Sequence, residues 1–404
     1  DRGVIVNDMD GEFVPATLEY KGKKMSIKLR LKGHMTDHLQ EDKWSFRIKM
    51  SGANRFMGMK RFSIQHPGTR GYLAEWIYHE LMKREGIIAL RYKFIEVTVN
   101  GRNWGIYAVE ENFENELLEN NNRIKSPILR FNPDLYWINR LNELKDVNSF
   151  DEYATYYSAN PEAYREEEGL KDSTWKANYL KAIALMESLR SRKISVSQAF
   201  DIDKLSKFHA LIDLVGGEHS IDWSDIKYYF DPIKNKLEPV AYESFTYLDS
   251  RDLSGFYRYV ELDPAKQYRD WHTMIFSDSA FFAAYMNQLE RVTSAAYLDN
   301  FFNDSNQELS QNQAILNKEF PYKKFDKAAY YQRQSMILQL KNPPKALHAY
   351  LKKANFDSIT VQVGSIDALP VLLRSIYVNN QTIALPFQQI LPAKQPGNYV
   401  NYVD

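Results

Sequence analysis

Three acids crowd one stretch, "HSIDWSDIKYYFDPIKNKLEPVAYESF" over residues 219–245, with Asp222 and Asp225 before a strand-like run and Glu243 after a second. Residues 226–231 and 236–241 read as two short strands joined by Pro232-Ile233-Lys234-Asn235. Pairing that sets 231 against 236 sets 225 roughly against 242, so Asp225 and Glu243 emerge at the same open end. Directly opposed neighbours sit about 4.5–5.5 Å apart at Cβ. Two carboxylates that close repel unless a cation or a shared proton resolves the conflict. An oxygen-only pair is the ligand type that Mg2+ or Mn2+ takes, with phosphate oxygens completing the shell. The competing reading is a surface hairpin whose acids are neutralised by Lys227. Asp222, three residues before Asp225, favours metal or acid–base chemistry. His219 lies nearby, but a lone histidine reads as a structural or surface residue.

The elements that must position these acids follow from patterning. "FVPATLEYKGKKMSIKLRLKG" alternates around a Lys-Gly turn, and "KWSFRIKM" alternates again. Leu73, Ile77 and Leu81 fall at i, i+4 and i+8 before Gly86, which predicts one amphipathic helix over 71–85. "YKFIEVTVNGRNWGIYAVEENF" is a hairpin with Asn100-Gly101 as its type I′ turn. A short helix and the strand "PILRF" follow, giving a small sheet that carries one packed helix. From about residue 133 to 350 the spacing is mostly helical, including a stretch at 266–302, and the acid-ended hairpin is the only strand-like island there. Residues 357–385 return to strand patterning. The predicted organisation is a β-rich unit over 1–131, a mainly helical unit over 132–352 with a helical insert at 133–200, and a β appendage over 353–404.

Composition bounds the function. The 404 residues carry 52 Lys+Arg against 52 Asp+Glu, so no global basic field draws in nucleic acid or an anionic membrane. No cysteine is present, which removes disulfides, thiolate catalysis and iron–sulfur clusters. The same absence points towards export. No 18-residue apolar run exists to span a membrane. The chain opens at Asp1 without Met or a signal peptide, and the expectation is an extracytoplasmic protein with its signal removed.

Three segments in order resemble one family. "IKLRLKGHMTDHLQEDKWSFRIKM" is similar to its strand–Lys/Arg-Gly–linker–Lys-x-Ser-x-Arg segment. "VTVNGRNWGIYAVEENF" is similar to its Asn-Gly hairpin running into Gly-x-Tyr-x-x-x-Glu. "DWSDIKYYFDPIKNKLEPVAYESF" resembles its Asp…Asn-x-x-tyrosine-rich strand, Asp-Pro dipeptide and second strand ending in Pro-x-Asp. Together they resemble the CotH family of spore-coat-type, atypical protein kinases.

That resemblance implies an α+β, kinase-like two-lobed fold, with a small β-rich N-lobe carrying one helix and a larger helical C-lobe. It also implies a secreted or surface protein that binds ATP with Mg2+ or Mn2+ and phosphorylates a hydroxyl of a protein or cell-surface substrate. Asp222 matches the acid that orients the substrate hydroxyl. Asp225 falls where the family has a metal-ligating Asn, and Glu243 where it has a metal-ligating Asp. Arg30, Lys32, Lys43, Arg47 and Lys49 match the basic positions, of which one or two reach phosphates. Glu75 or Glu80 on the helix is the expected partner of such a lysine. Glu110 and Glu111, closing the Asn-Gly hairpin, complete the nucleotide-side candidates. The chain departs from the family at Asp225, at Glu243 and at Phe245, which replaces a second Asp, and it has no Gly-rich phosphate loop. Three functions therefore stay open: phosphotransfer, a non-catalytic surface scaffold or adhesion protein, and AMP transfer or ligation.

Overall fold

The computed structural model describes residues 12–33, 38–40, 43–138, 156–250, 253–254, 271–367, 371–391, 394 and 399–404, and it is a mixed α+β protein. The helical expectations at 139–155 and 266–270 lie outside the described residues. The N-terminal part is a six-stranded antiparallel sheet in the order β1-β2-β5-β6-β8-β7. Its strands are β1 (Val14–Tyr20), β2 (Lys23–Leu31), β5 (Phe46–Met50), β6 (Arg61–Gln65), β7 (Tyr92–Val99) and β8 (Arg102–Glu111). Between β2 and β5 sits a two-residue ladder of β3 (Leu39–Gln40) with β4 (Lys43–Trp44).

Alternation sorts the sheet into two faces. One face packs Met25, Ile27, Ile48, Met50, Phe62, Ile64, Tyr107 and Val109 with Phe56 and Met59 into a core of its own. On the other, pairing aligns Arg30, Arg47, Ser63, Glu110 and Tyr92 in one row across five strands. The next row holds Lys28, Lys49 and Arg61. The Asn100-Gly101 turn has φ of 50° and 82°, the pair of positive values that a type I′ turn demands.

Helix α1 (Leu73–Arg84) is the amphipathic helix expected, entered through a 3-10 turn at Pro67–Arg70. Gly71 at φ 67° makes the corner between them. Leu73, Trp76, Ile77 and Leu81 are buried and join a core shared with the helical part of the chain. Replacing Trp76, which is 1% exposed, with alanine is expected to cost about 3–5 kcal/mol. Urea unfolding of the two proteins measures it directly.

After α2 (Asn115–Asn120) a second sheet forms in the order β10-β9-β11-β12, from β9 (Ile128–Phe131), β10 (Pro161–Ala163), β11 (Tyr228–Asp231) and β12 (Lys236–Pro239). The hairpin register is the one read from the sequence, with Asp231 opposite Lys236 and Tyr228 opposite Pro239. Its strands are shorter than expected, and a hydrogen bond from Val240 N to Lys227 O at 2.9 Å carries the pairing one step further. The insert expected to be helical also contributes β10, an edge strand whose Glu162 pairs across from Arg130. Pro161 at its start suits an edge, where one missing N–H costs no ladder bond.

The remaining helices of six or more residues among the described residues are α3 (Ser173–Arg190), α4 (Ile202–Val215), α5 (Trp271–Phe276), α6 (Ser279–Val292), α7 (Ala295–Asn317) and α8 (Lys327–Lys341). Helix α4 packs centrally, with Asp201 capping its first turn and Gly216 at φ 61° ending it. Beyond Pro343 and Pro344 come two hairpins, β13 (Leu347–Ala354) with β14 (Ile359–Ser365) and β15 (Val371–Val378) with β16 (Gln381–Leu391). Among the described residues no helix is long and apolar enough to cross a membrane.

Candidate metal and nucleotide site

The open end of the β11–β12 hairpin meets a 3-10 turn, Glu218–Ile221, that projects His219 over it. Ligand atoms of His219, Asp225 and Glu243 all lie within 4.8 Å of one another. His219 Nδ1 is 3.2 Å from Asp222 Oδ2, and its Nε2 is 3.7 Å from Asp225 Oδ2 and 4.0 Å from Glu243 Oε2. One imidazole therefore links the expected hydroxyl-orienting acid to the two expected metal acids. The chain past β12 turns sharply here, with Glu243 at φ 37° and Phe245 at φ 45°. Left-handed backbone at residues that are not glycine costs about 1–3 kcal/mol each and persists only where the surroundings hold it. Arg70 stacks its guanidinium 4.2 Å from the Phe245 ring, and the His219 ring meets the same phenyl edge-on at 4.4 Å.

Cations from the sheet side close on the other oxygen of Glu243. Arg70 reaches Oε1 at 2.6 Å and Lys32 lies 3.6 Å from it. Lys32 also donates to Glu110 and, at 2.8 Å, to Gln65 Oε1. Lys32, Arg70, Glu110 and Glu243 are all buried, so two positive and two negative charges alternate in a neutral chain away from solvent. Burial pushes the Glu243 carboxyl up, but Arg70 and Lys32 outweigh it and hold the group well below the usual carboxylate range. Burial works against charge on His219, yet the bond to Asp222 and the fields of Asp225 and Glu243 raise it to about 9. Lys227, buried behind the hairpin, donates to Asp225 O at 2.6 Å and is lowered to about 8, chiefly by burial.

The donor set fits a divalent cation. Asp225 and Oε2 of Glu243 could supply hard oxygens, and His219 a nitrogen that Mn2+ accepts more readily than Mg2+ does. Binding there would require His219 to give up its proton, so affinity would fall with acidity.

The family profile described as CotH kinase protein matches residues 29–339. The chain belongs to the CotH family. A search of curated proteins finds no match to the sequence. The CotH match begins inside β2 and ends inside α8, so it contains the whole acid cluster, α1, the second sheet and the first sheet from the end of β2 onward, and leaves β1 and β13–β16 outside.

Within this CotH frame the predicted residues separate into three groups. Lys32, Glu110, Asp222, Asp225 and Glu243 come together at the hairpin end. Arg30 and Arg47 face each other in the same row as Glu110, with Arg47 two strands away from it, and burial together with Arg47 lowers Arg30 to about 10. Lys49 lies one row further out beside Arg61, whose charge lowers it most. Lys43, Glu80, Glu111 and Glu75 depart from expectation. Lys43 donates to Trp104 O at 2.6 Å and Ile106 O at 3.1 Å and pairs with Glu319, which ties the ladder to the end of α7. Glu80 pairs with Lys83 on the helix surface. Glu111 pairs with Arg91, because strand alternation turns it away from Glu110. The lysine expected to meet the helix glutamate meets Glu110 instead, and Glu75 accepts hydrogen bonds from Ser244.

His219, Arg70 and Gln65 enter the site without having been singled out as site residues. His219 had only its spacing, three residues before Asp222, as a signal. Arg70 had none, since "QHPGTRG" carries no periodicity.

Proposed function

We propose that this CotH chain is a divalent-cation-dependent phosphotransferase, moving the γ-phosphoryl group of ATP to a hydroxyl on a protein or cell-surface substrate. The observation that carries the reading is the convergence of Asp225, Glu243 and His219 beside the buried Lys32–Arg70 pair. Two lobes, the N-terminal sheet with α1 and the helical part, would enclose the nucleotide between the Arg30–Arg47 row and the hairpin end. The cysteine-free composition supports an extracytoplasmic place of action.

Asp225, Glu243 and His219 would hold Mg2+ or Mn2+, which supplies charge neutralisation at the β- and γ-phosphates. Lys32 and Arg70 fix the direction of Glu243, and the Arg30–Arg47 row offers forks to phosphate oxygens. The half-exposed Asp222 accepts the substrate's hydroxyl proton. The hydroxyl oxygen forms a new bond to the γ-phosphorus as the bond to the β–γ bridging oxygen breaks, and ADP leaves with the electron pair.

Incubation with γ-labelled ATP and Mn2+ is expected to label an acceptor protein, whereas α-labelled ATP is not. Transfer of the α label would redirect the reading to AMP transfer. Absence of both transfer and nucleotide binding would leave a non-catalytic surface protein.

A further inference from the structure

Glu75 is wholly buried on α1, a position from which a helix carboxylate would ordinarily be expected to meet a cation. Its Oε1 lies 3.3 Å from Nε2 of His79 one turn along the helix, and its two oxygens also receive the backbone N–H of Ser244 at 3.2 and 3.0 Å, and the Ser244 hydroxyl at 2.7 Å. That N–H belongs to the peptide joining Glu243 to Ser244. The carbonyl end of the same peptide lies 3.1 Å from the Ser220 hydroxyl, which it shares with Tyr242 O at 2.6 Å. The peptide is thus gripped at both ends, from α1 on one side and from the turn bearing His219 on the other. The residues on either side of Ser244, Glu243 and Phe245, both adopt left-handed backbone. A relaxed turn would move the Glu243 backbone away from His219 and Asp225, so the grip acts together with Arg70 and Lys32 in setting where the carboxylate points.

We propose that Glu75 is a positioning residue that aims Glu243 at the cation by fixing the Glu243–Ser244 peptide, coupling the placement of α1 to metal affinity. This rests on the metal–nucleotide reading above, and the experiment separates the two. In Glu75→Gln the side chain keeps its shape and one acceptor oxygen. Mn2+ titration of the full chain with ATP, read by electron paramagnetic resonance, is expected to show about 10- to 100-fold weaker binding. Amide exchange at 243–247 in the metal-free protein is expected to quicken. In a Glu243→Gln background the Glu75→Gln change is expected to weaken Mn2+ no further, because the group it aims is gone. Should Glu75→Gln fail to fold, Ser244→Ala removes the hydroxyl bonds to Glu75 and Thr246 but keeps the backbone N–H bond, and is expected to shift both readouts in the same direction. Wild-type protein that binds no Mn2+ overturns the metal–nucleotide reading, while quickened exchange in Glu75→Gln would still uphold the grip on the peptide. Unchanged exchange, wild-type Mn2+ affinity in Glu75→Gln, or losses that simply add in the double variant overturn the positioning role.

Discussion

Replacing Glu243 with glutamine is expected to abolish Mn2+-dependent label transfer and to destabilise the fold together. The first effect follows because Glu243 Oε2 is one of three ligand atoms that converge. The second follows because Glu243 is the shared partner of Arg70 and Lys32, all three buried. Glutamine leaves Glu110 alone against two buried cations. Removing one member of a buried charge pair costs about 3–5 kcal/mol. The effect also has a pH signature. The folded-state pKa of Glu243 is depressed, so its contribution is fully present above the unfolded glutamate value of about 4.3 and is lost as pH falls through the folded value. Urea unfolding as a function of pH checks this. The wild type is expected to lose more stability on acidification than Glu243→Gln, and parallel curves would mean that the buried network does not form.

Asp222→Asn is expected to behave oppositely, losing catalysis while keeping stability and nucleotide binding. Asp222 is half-exposed at the end of the 3-10 turn and is not among the three converging ligands. Loss of a positioned general base lowers turnover by about 10²–10⁴-fold, and asparagine keeps an acceptor oxygen for the His219 Nδ1 contact at 3.2 Å, so the change in stability stays small. Single-turnover label transfer, measured beside ATP affinity, tells the two apart. If Asp222→Asn transfers phosphate at the wild-type rate, the hydroxyl-orienting role belongs to another group.

What the sequence revealed was local. The hairpin register followed from a four-residue link and alternation, and the Asn100-Gly101 turn and the Leu73–Ile77–Leu81 stripe each announced their own element. What it concealed was partnership across long separations. Lys43 reads as one more strand lysine, yet its carboxylate partner is 276 residues away. Glu75 reads as a lysine's partner, yet it meets a backbone N–H 169 residues on. Glu110 and Glu111 are indistinguishable as a pair of letters, and only strand direction sends one into the buried network and the other to Arg91. The three-residue β10 is too short to show alternation and exists because β9 offers it an edge. His219 was legible as a position and illegible as a member of the cluster, because its place depends on the turn that lifts it over the hairpin end.

Asp225, Glu243 and His219 are proposed to bind a cation that brings nucleotide with it. The most direct measurement is the melting temperature of the full chain with ATP and Mn2+, alongside Asp225→Ala under the same conditions. Ligand at 100 times its dissociation constant stabilises the native state by about 2.7 kcal/mol. The account predicts a clear upward shift for the wild type that requires both ATP and metal and vanishes in Asp225→Ala. No shift at saturating nucleotide with either Mn2+ or Mg2+, or an equal shift in Asp225→Ala, would contradict it.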